Sequence, residues 1–281
     1  MNNSKYHIWV VSPKNYSHVH VFDEVVLSLA SSLSKLGLDI TIHRDIKPLN
    51  STPIIIGGNL LHAVPPVDLP SDSIIYNLEQ IFLGSSWLSP IYLSALKSHK
   101  VWDYSKQNIQ ELAKLGITNV DYMPIGYVPE LERLPVVNKD IDILFIGSMT
   151  DRRANIINSI TNSGLKVHTG FNIYGAQRDL ALAKSKIILN IHAYDAKVFE
   201  IVRVSHALAN NLFVISETGK DLELEKQFYN GLVFADPHDF PKLCHYYLNN
   251  DEERSKISST GQQIFRTMTI YDNLKKALDI K

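Results

Sequence analysis

The chain has 281 residues, 45% hydrophobic and 20% charged, the balance of an ordinary soluble globular protein long enough for two domains or one large α/β domain. Lys plus Arg number 28 against 29 Asp plus Glu, which excludes a net field drawing the whole molecule to nucleic acid or anionic lipid. Cys244 is the only cysteine, so no intramolecular disulfide is expected; MNNSKYHIWVV lacks the basic region and long apolar run of a signal peptide, and no apolar run approaches the roughly 20 residues of a membrane span. The expected location is the cytoplasm, with membrane contact limited to a peripheral one.

Residues 6–11, YHIWVV, read as a first strand, followed by the polar loop SPKNYSHVH. Val25, Val26, Leu29, Leu33 and Leu36 then recur at helical spacing and stop at Gly37, a suitable helix end. LDITIH, PIIIGG, SIIYNLEQ, HKVWDYS and NVDYMPIGY follow as strands, with SPIYLSALKS and SKQNIQELAKLG as helices among them. A continuous apolar run such as PIII ended by glycines suits a strand buried on both faces, and strand–helix alternation suits a parallel, helix-covered sheet. Residues 128–140, VPELERLPVVNKD, carry two prolines and several charges without periodicity, as a linker does. The alternation restarts with DILFIGS (strand), DRRANIINSITNSG (helix), LKVHTG (strand), QRDLALAKS (helix), KIILNIH (strand) and KVFEIVRVSHALAN (helix). LFVIS and GLVFA are two more strands, and the tail from residue 241 is helical with breaks. The expected fold class is therefore α/β with two parallel-sheet halves, whose ligands sit outside the carboxyl ends of the strands and in a cleft between the halves.

Polar residues collect at those strand ends. After DILFIGS stand Gly147 and Ser148, then Asp151, Arg152 and Arg153 opening a helix; a glycine turn at a helix N-terminus with two arginines suits a phosphate, and equally a solvated charged first turn. After KIILNIH come Asn190 and His192, then a helix carrying Glu200, Arg203 and His206 on one side. Charges in so apolar a segment must be paired, either as an i,i+3 ion pair of Glu200 with Arg203 or through a ligand. Glu217 closes LFVIS. In the N-terminal half His18, His20 and Asp23 follow the first strand, Asn77, Glu79 and Gln80 the fourth, and Asp103 and Tyr104 the fifth; His20, Glu79 and His18 are the candidates for general-base work on an acceptor hydroxyl. The His18-x-His20 pair has no CxxC or HExxH partner, so no metal site and no cofactor are expected.

DILFIGSMTDRR and SKIILNIHAYDAKVFEIVRVSHALANNLFVISE resemble the donor-binding half of glycosyltransferases of the GT-B fold, of the group-1-like and CgeB-like kind. NYSHVHVFDEVVLSLASSLSKLG resembles the acceptor-side loop and first helix of that fold, YMPIGYVPEL its interdomain crossing, and the tail its closing helices. The resemblance implies two Rossmann-like domains: acceptor-side residues 1–128, nucleotide-sugar-binding residues 129–265, and a helix over 266–281 packing back on the first. It implies sugar transfer from a nucleotide-diphosphate sugar to an acceptor hydroxyl without a metal, with Gly147, Ser148, Arg152, Arg153, Asn190, His192, Glu200, Arg203 and Glu217 around the donor. The pattern departs from the paired glutamates of that kind, since Val198 and His206 occupy their places and Glu200 or Glu217 stands in for the ribose carboxylate. Two other readings share such a fold: a nucleotide-sugar epimerase with an acid/base pair, and an inactive partner or binding subunit that keeps the nucleotide pocket. The balanced charge gives no support to a nucleic-acid partner.

Overall fold

The structure, a computed structural model, describes residues 5–45 and 52–280. The chain divides into two compact units, one reaching to Val128 and resuming at Thr269, the other spanning Pro129–Met268. Among the described residues no helix is long and apolar enough to cross a membrane.

The first unit is a parallel six-stranded sheet. Its strands are β1 (Lys5–Val10), β2 (Asp39–His43), β3 (Thr52–Ile56), β4 (Ile74–Asn77), β5 (Lys100–Asp103) and β6 (Val120–Tyr122), in the order β2-β1-β3-β4-β5-β6. Its helices are α1 (Asp23–Lys35), α2 (Pro90–Ser98) and α3 (Lys106–Lys114). Ile54, Ile55 and Ile56 are all fully buried, which is why β3 reads as an unbroken apolar run rather than an alternating one. Ser89 and Ser105 cap α2 and α3 by accepting the backbone N–H of Tyr92 and Asn108, and Pro90 fills a first-turn position whose N–H would have no helical partner. The segment from Thr269 completes this unit: Ile270 lies against Gly126, and Lys100 Nζ donates to the carbonyl of Ala277 at the end of α10 (Tyr271–Ala277).

The second unit is a parallel five-stranded sheet of β7 (Ile141–Ile146), β8 (Val167–Gly170), β9 (Ser185–Asn190), β10 (Val214–Glu217) and β11 (Val233–Ala235), in the order β11-β10-β9-β7-β8. Helices α4 (Asp151–Asn162), α5 (Gly175–Ala183), α6 (Ile201–Ala209), α7 (Leu222–Lys226), α8 (Phe240–Leu248) and α9 (Asp251–Thr267) accompany it. Ile143, Phe145, Ile187, Leu189, Phe213 and Ile215 pack with Phe240, Cys244 and Tyr247 of α8 into one core. The stretch 131–134, between Pro129 and Pro135, is tied to this unit by Asn210, whose Nδ2 donates to Leu131 O (2.8 Å) while Oδ1 accepts the N–H groups of Arg133 and Leu134.

Two local expectations change. The helix expected from Lys197 begins only at Ile201, because Lys197 is left-handed (φ 47°) and Glu200 takes a non-helical cap conformation. Between LFVIS and GLVFA stands α7, a helix of five residues capped by Asp221, too short to declare itself by periodicity.

Candidate functional site

The polar ends of β7, β9 and β10 lie side by side, since the sheet order makes β9 the neighbour of both others. At the end of β7, Gly147 is closely packed. The point its β-carbon would occupy lies 3.4 Å from Arg153 Nη1 and 3.5 Å from Arg203 Nη1, so two guanidinium groups converge there. Thr150 caps α4 by accepting the Arg153 N–H (3.3 Å), and Ser148 is exposed in the turn between.

The adjacent arginines behave differently. Arg153 is 1% exposed and donates to Ile191 O through Nε (2.9 Å) and Nη2 (2.7 Å) and to Ser148 O through Nη1 (2.9 Å). Its guanidinium also lies over the Phe145 ring at 5.3 Å. Burial, with Arg203 nearby, pulls its pKa down to about 10, against the opposing pull of Glu200. This arginine ties the ends of β7 and β9 together. Arg152, half-buried, makes a bidentate pair with Glu217 and also donates to His192 O (2.9 Å).

Glu217 is fully buried and saturated: Oε2 accepts from Arg152 and the His192 N–H (3.1 Å), while Oε1 meets Arg152 and Lys197 Nζ (2.9 Å). Burial raises its carboxyl, but Arg152, Lys197 and His192 outweigh that and hold it below the usual carboxylate range. Asn190 pairs across the sheet with Ser216 Oγ (3.0 Å), and its Oδ1 is buried without a partner.

Glu200 does not form the i,i+3 ion pair with Arg203. It stands at the N-terminal boundary of α6 without a side-chain bond to the helix, and its close partners are Arg153 Nη2 (3.4 Å) and His192 Nδ1 (3.3 Å), the latter out of hydrogen-bonding alignment. Burial raises the Glu200 carboxyl, and Arg203, His192 and Arg153 together bring it below its ordinary value. Arg203 is left as the half-buried cation whose Nη1 has no hydrogen-bond partner. His206, expected on the same side, instead pairs with Asp179 (2.9 Å), which also holds Arg133 (2.9 Å), and so belongs to the anchoring of the 131–134 stretch.

Three contributors were not legible in the sequence. Lys197 reaches Glu217 from the loop before α6. Glu225 of α7 is fully buried, accepts the Gly219 N–H and leaves Oε2 unpartnered; burial raises its carboxyl. Gly219 lets the loop close, since a β-carbon there would stand 2.2 Å from Lys197 O and 2.9 Å from His192 Nε2. The first of these is backbone and cannot swing away. Gly219→Ala is expected to lower stability by about 1–3 kcal/mol through this overpacking, read as a loss of thermal midpoint. The network gathers four cations (Arg152, Arg153, Lys197, Arg203) and four carboxylates (Glu200, Glu217, Glu225 and Asp221 beside it), and within it Arg203 Nη1 makes no hydrogen bond, a donor suited to an anion.

In the first unit the three candidates follow two different strands. His20 Nδ1 pairs with Asp23 Oδ2 (2.9 Å), Asp23 also binds Arg44, and His18 lies edge-on to Tyr16. Glu79 follows β4, separated from β1 by β3. One carboxylate oxygen of Glu79 accepts Asn59 Nδ2 (3.2 Å), and burial raises its pKa to about 7. Asp103, behind it, is fully buried and accepts from Asn77, Asn108 and the Ser105 N–H. Among the described residues no group of three or more His, Cys, Asp or Glu side chains is arranged to hold a metal ion.

Residues 131–278, more than half of the chain, match the glycosyl transferase-like family. The chain belongs to this family. Two uncharacterized proteins of Acanthamoeba polyphaga mimivirus are similar to this glycosyl transferase-like chain: one is 36% identical over 103 residues, covering 36% of this chain and 12% of the viral protein. The other is 25% identical over 216 residues, covering 71% of this chain and 27% of the viral protein. The chain thus spans less than two thirds of the length of these curated relatives. Among solved structures, HepE of Anabaena in complex with UDP and glucose matches with a TM-score of 0.65 at 9% identity, over 98% of this chain and 99% of HepE. The glycosyl transferase-like chain therefore has the GT-B fold, two α/β units each built on a parallel sheet.

Proposed function

We propose that this chain transfers a sugar from a nucleotide-diphosphate sugar to an acceptor hydroxyl, the second unit holding the nucleotide and the first the acceptor. The observation that carries the reading is the strand edge of the second unit, where the buried Nη1 of Arg203 makes no hydrogen bond and converges with Arg153 Nη1 beside Gly147, in a chain of the glycosyl transferase-like family. Arg203 and the N-terminal turn of α4 would take the diphosphate, with Arg152 and Lys197 within the same network. These groups stabilise the negative charge that develops on the leaving diphosphate, a task a divalent metal performs in other sites, so no metal is required. HepE, with the same fold, is described with UDP and with glucose, which favours a UDP-sugar as the first donor to test. Glu79, with a carboxyl that ionises near neutrality, is the group suited to take the acceptor's proton.

The test is incubation of the purified chain with UDP-, GDP- and TDP-sugars and a panel of sugar acceptors, with and without EDTA, followed by assay of free nucleoside diphosphate. Acceptor-dependent, EDTA-resistant release is expected. Interconversion of sugars without net release would point to an epimerase, and binding without turnover to an inactive subunit; either result overturns the proposal.

A further inference from the structure

Glu79 stands in a built surround. Its backbone carbonyl accepts Asn77 Nδ2 and Asn108 Nδ2, each at 2.9 Å, and the two amides are anchored on the buried Asp103 carboxylate at 2.6 and 3.1 Å. Asn108 Oδ1 accepts the Ile81 N–H (2.9 Å), and Tyr92 Oη donates to Asn77 Oδ1 (2.7 Å). These bonds fix the backbone that carries Glu79, and they leave its carboxyl to a single side chain, Asn59.

Asn59 is 3% exposed and arrives by way of Gly57 and Gly58 at the end of β3. Gly57 is left-handed (φ 74°), and a β-carbon on Gly58 would press to 2.7 Å from the Tyr92 ring, so the chain turns here only with glycine at both places. Asn59 Nδ2 donates to Glu79 Oε1 at 3.2 Å, whereas Oδ1 is buried with no partner. A carboxamide presents a donor on one side and an acceptor on the other. The same residue can therefore donate to an ionised carboxylate or, turned over, accept the O–H of a protonated one.

We propose that Asn59 is the positioning residue of Glu79, the amide that holds its carboxyl in place in both protonation states and sets when it ionises. This rests on the reading of Glu79 as the base for the acceptor hydroxyl. The other titratable groups facing Glu79 are Tyr92 from α2 and Asp103 from β5, whose field acts on Tyr92 along with that of Glu79; His62, in the same turn as Asn59, hydrogen-bonds the Asn59 carbonyl (2.9 Å). None of these hydrogen-bonds the Glu79 carboxyl. The charge-assisted bond that Asn59 donates to the carboxylate is stronger than the neutral bond it would accept from the protonated form, so it favours ionisation against the larger effect of burial, and losing it moves ionisation to higher pH.

The experiment is a carboxyl-13C NMR titration of the full chain from pH 4 to 9, with Glu79→Gln identifying the resonance, alongside the pH profile of kcat/KM. Asn59→Leu is expected to raise the Glu79 midpoint by about one pH unit, with the acidic limb of kcat/KM moving in step. Asn59→Asp is expected to raise it too, because two adjacent carboxyls resist double ionisation. A midpoint that stays put in folded Asn59→Leu overturns the proposal, whatever the turnover. If Asn59→Leu fails to fold by circular dichroism, Asn59→Ala, which also lacks a donor, must show the same upward shift, and an unmoved midpoint there overturns it equally. A midpoint that moves while the rate limb stays leaves the Asn59–Glu79 pairing standing and removes Glu79 from the base role, so the two failures are distinct.

Discussion

Arg203→Met is expected to weaken nucleoside diphosphate binding about 10- to 100-fold while the thermal midpoint stays within a few degrees of wild type. The magnitude is that of one charge-assisted hydrogen bond, about 1.5–3 kcal/mol. The small effect on stability follows from the geometry: Nη1 of Arg203 has no hydrogen bond to lose, and the loss of its attraction to Glu200 is offset by the relief of its repulsion of Arg153. The neighbouring test has the opposite sign pattern. Arg153→Met removes three hydrogen bonds to the carbonyls of Ile191 and Ser148 and the close approach to Glu200. Breaking one side of so buried a polar network costs about 3–5 kcal/mol, a fall of about 10 °C in thermal midpoint. Isothermal titration calorimetry with UDP and thermal unfolding measure the two quantities. Equal affinity in Arg203→Met and wild type would remove Arg203 from the anion site.

Glu79→Gln is expected to reduce turnover by about 10²- to 10⁴-fold, the range lost with a general base. In wild type the rate should fall as pH drops below about 7, because burial puts the carboxyl's ionisation there and only the carboxylate accepts a proton. The same group leaves a signature in stability. Its folded pKa, near 7, lies above the unfolded value of 4.5, so the folded state holds the proton more tightly. The resulting stabilisation is complete below about pH 4.5 and disappears as pH rises through 7, by about 3 kcal/mol in all. Glutamine cannot ionise. Denaturant unfolding of Glu79→Gln should therefore lose this component of the pH dependence between 4.5 and 7, while wild type retains it. A flat rate profile through pH 7 would exclude Glu79 as the base.

Much of the architecture was legible because parallel strands buried on both faces must be apolar throughout. PIII, ILFI and KIILN declare themselves, and the helices between them keep their spacing. Gly147, Asn190, His192 and Glu217 were legible by kind and by place along the chain, since each closes or follows a strand, whereas Lys197 and Glu225 were not. The partners were not legible either. Glu200 and Arg203 stand three residues apart, which suggests a helical ion pair, yet the left-handed Lys197 delays the helix until Ile201 and turns the carboxylate toward Arg153 and His192.

What the sequence determines by itself is the alternation of apolar strands and amphipathic helices, and with it the set of polar residues that a parallel sheet presents at its carboxyl edge. What only the tertiary structure decides is which of those residues have charges to spare. Arg152 and Arg153 are adjacent in sequence and alike in chemistry. The phase of α4 against the end of β9 sends one to the Glu217 carboxylate and the other to the backbone carbonyl of Ile191. A donor is left for a ligand only when no internal acceptor stands in hydrogen-bonding position to it, and that depends on contacts across strands far apart in the chain.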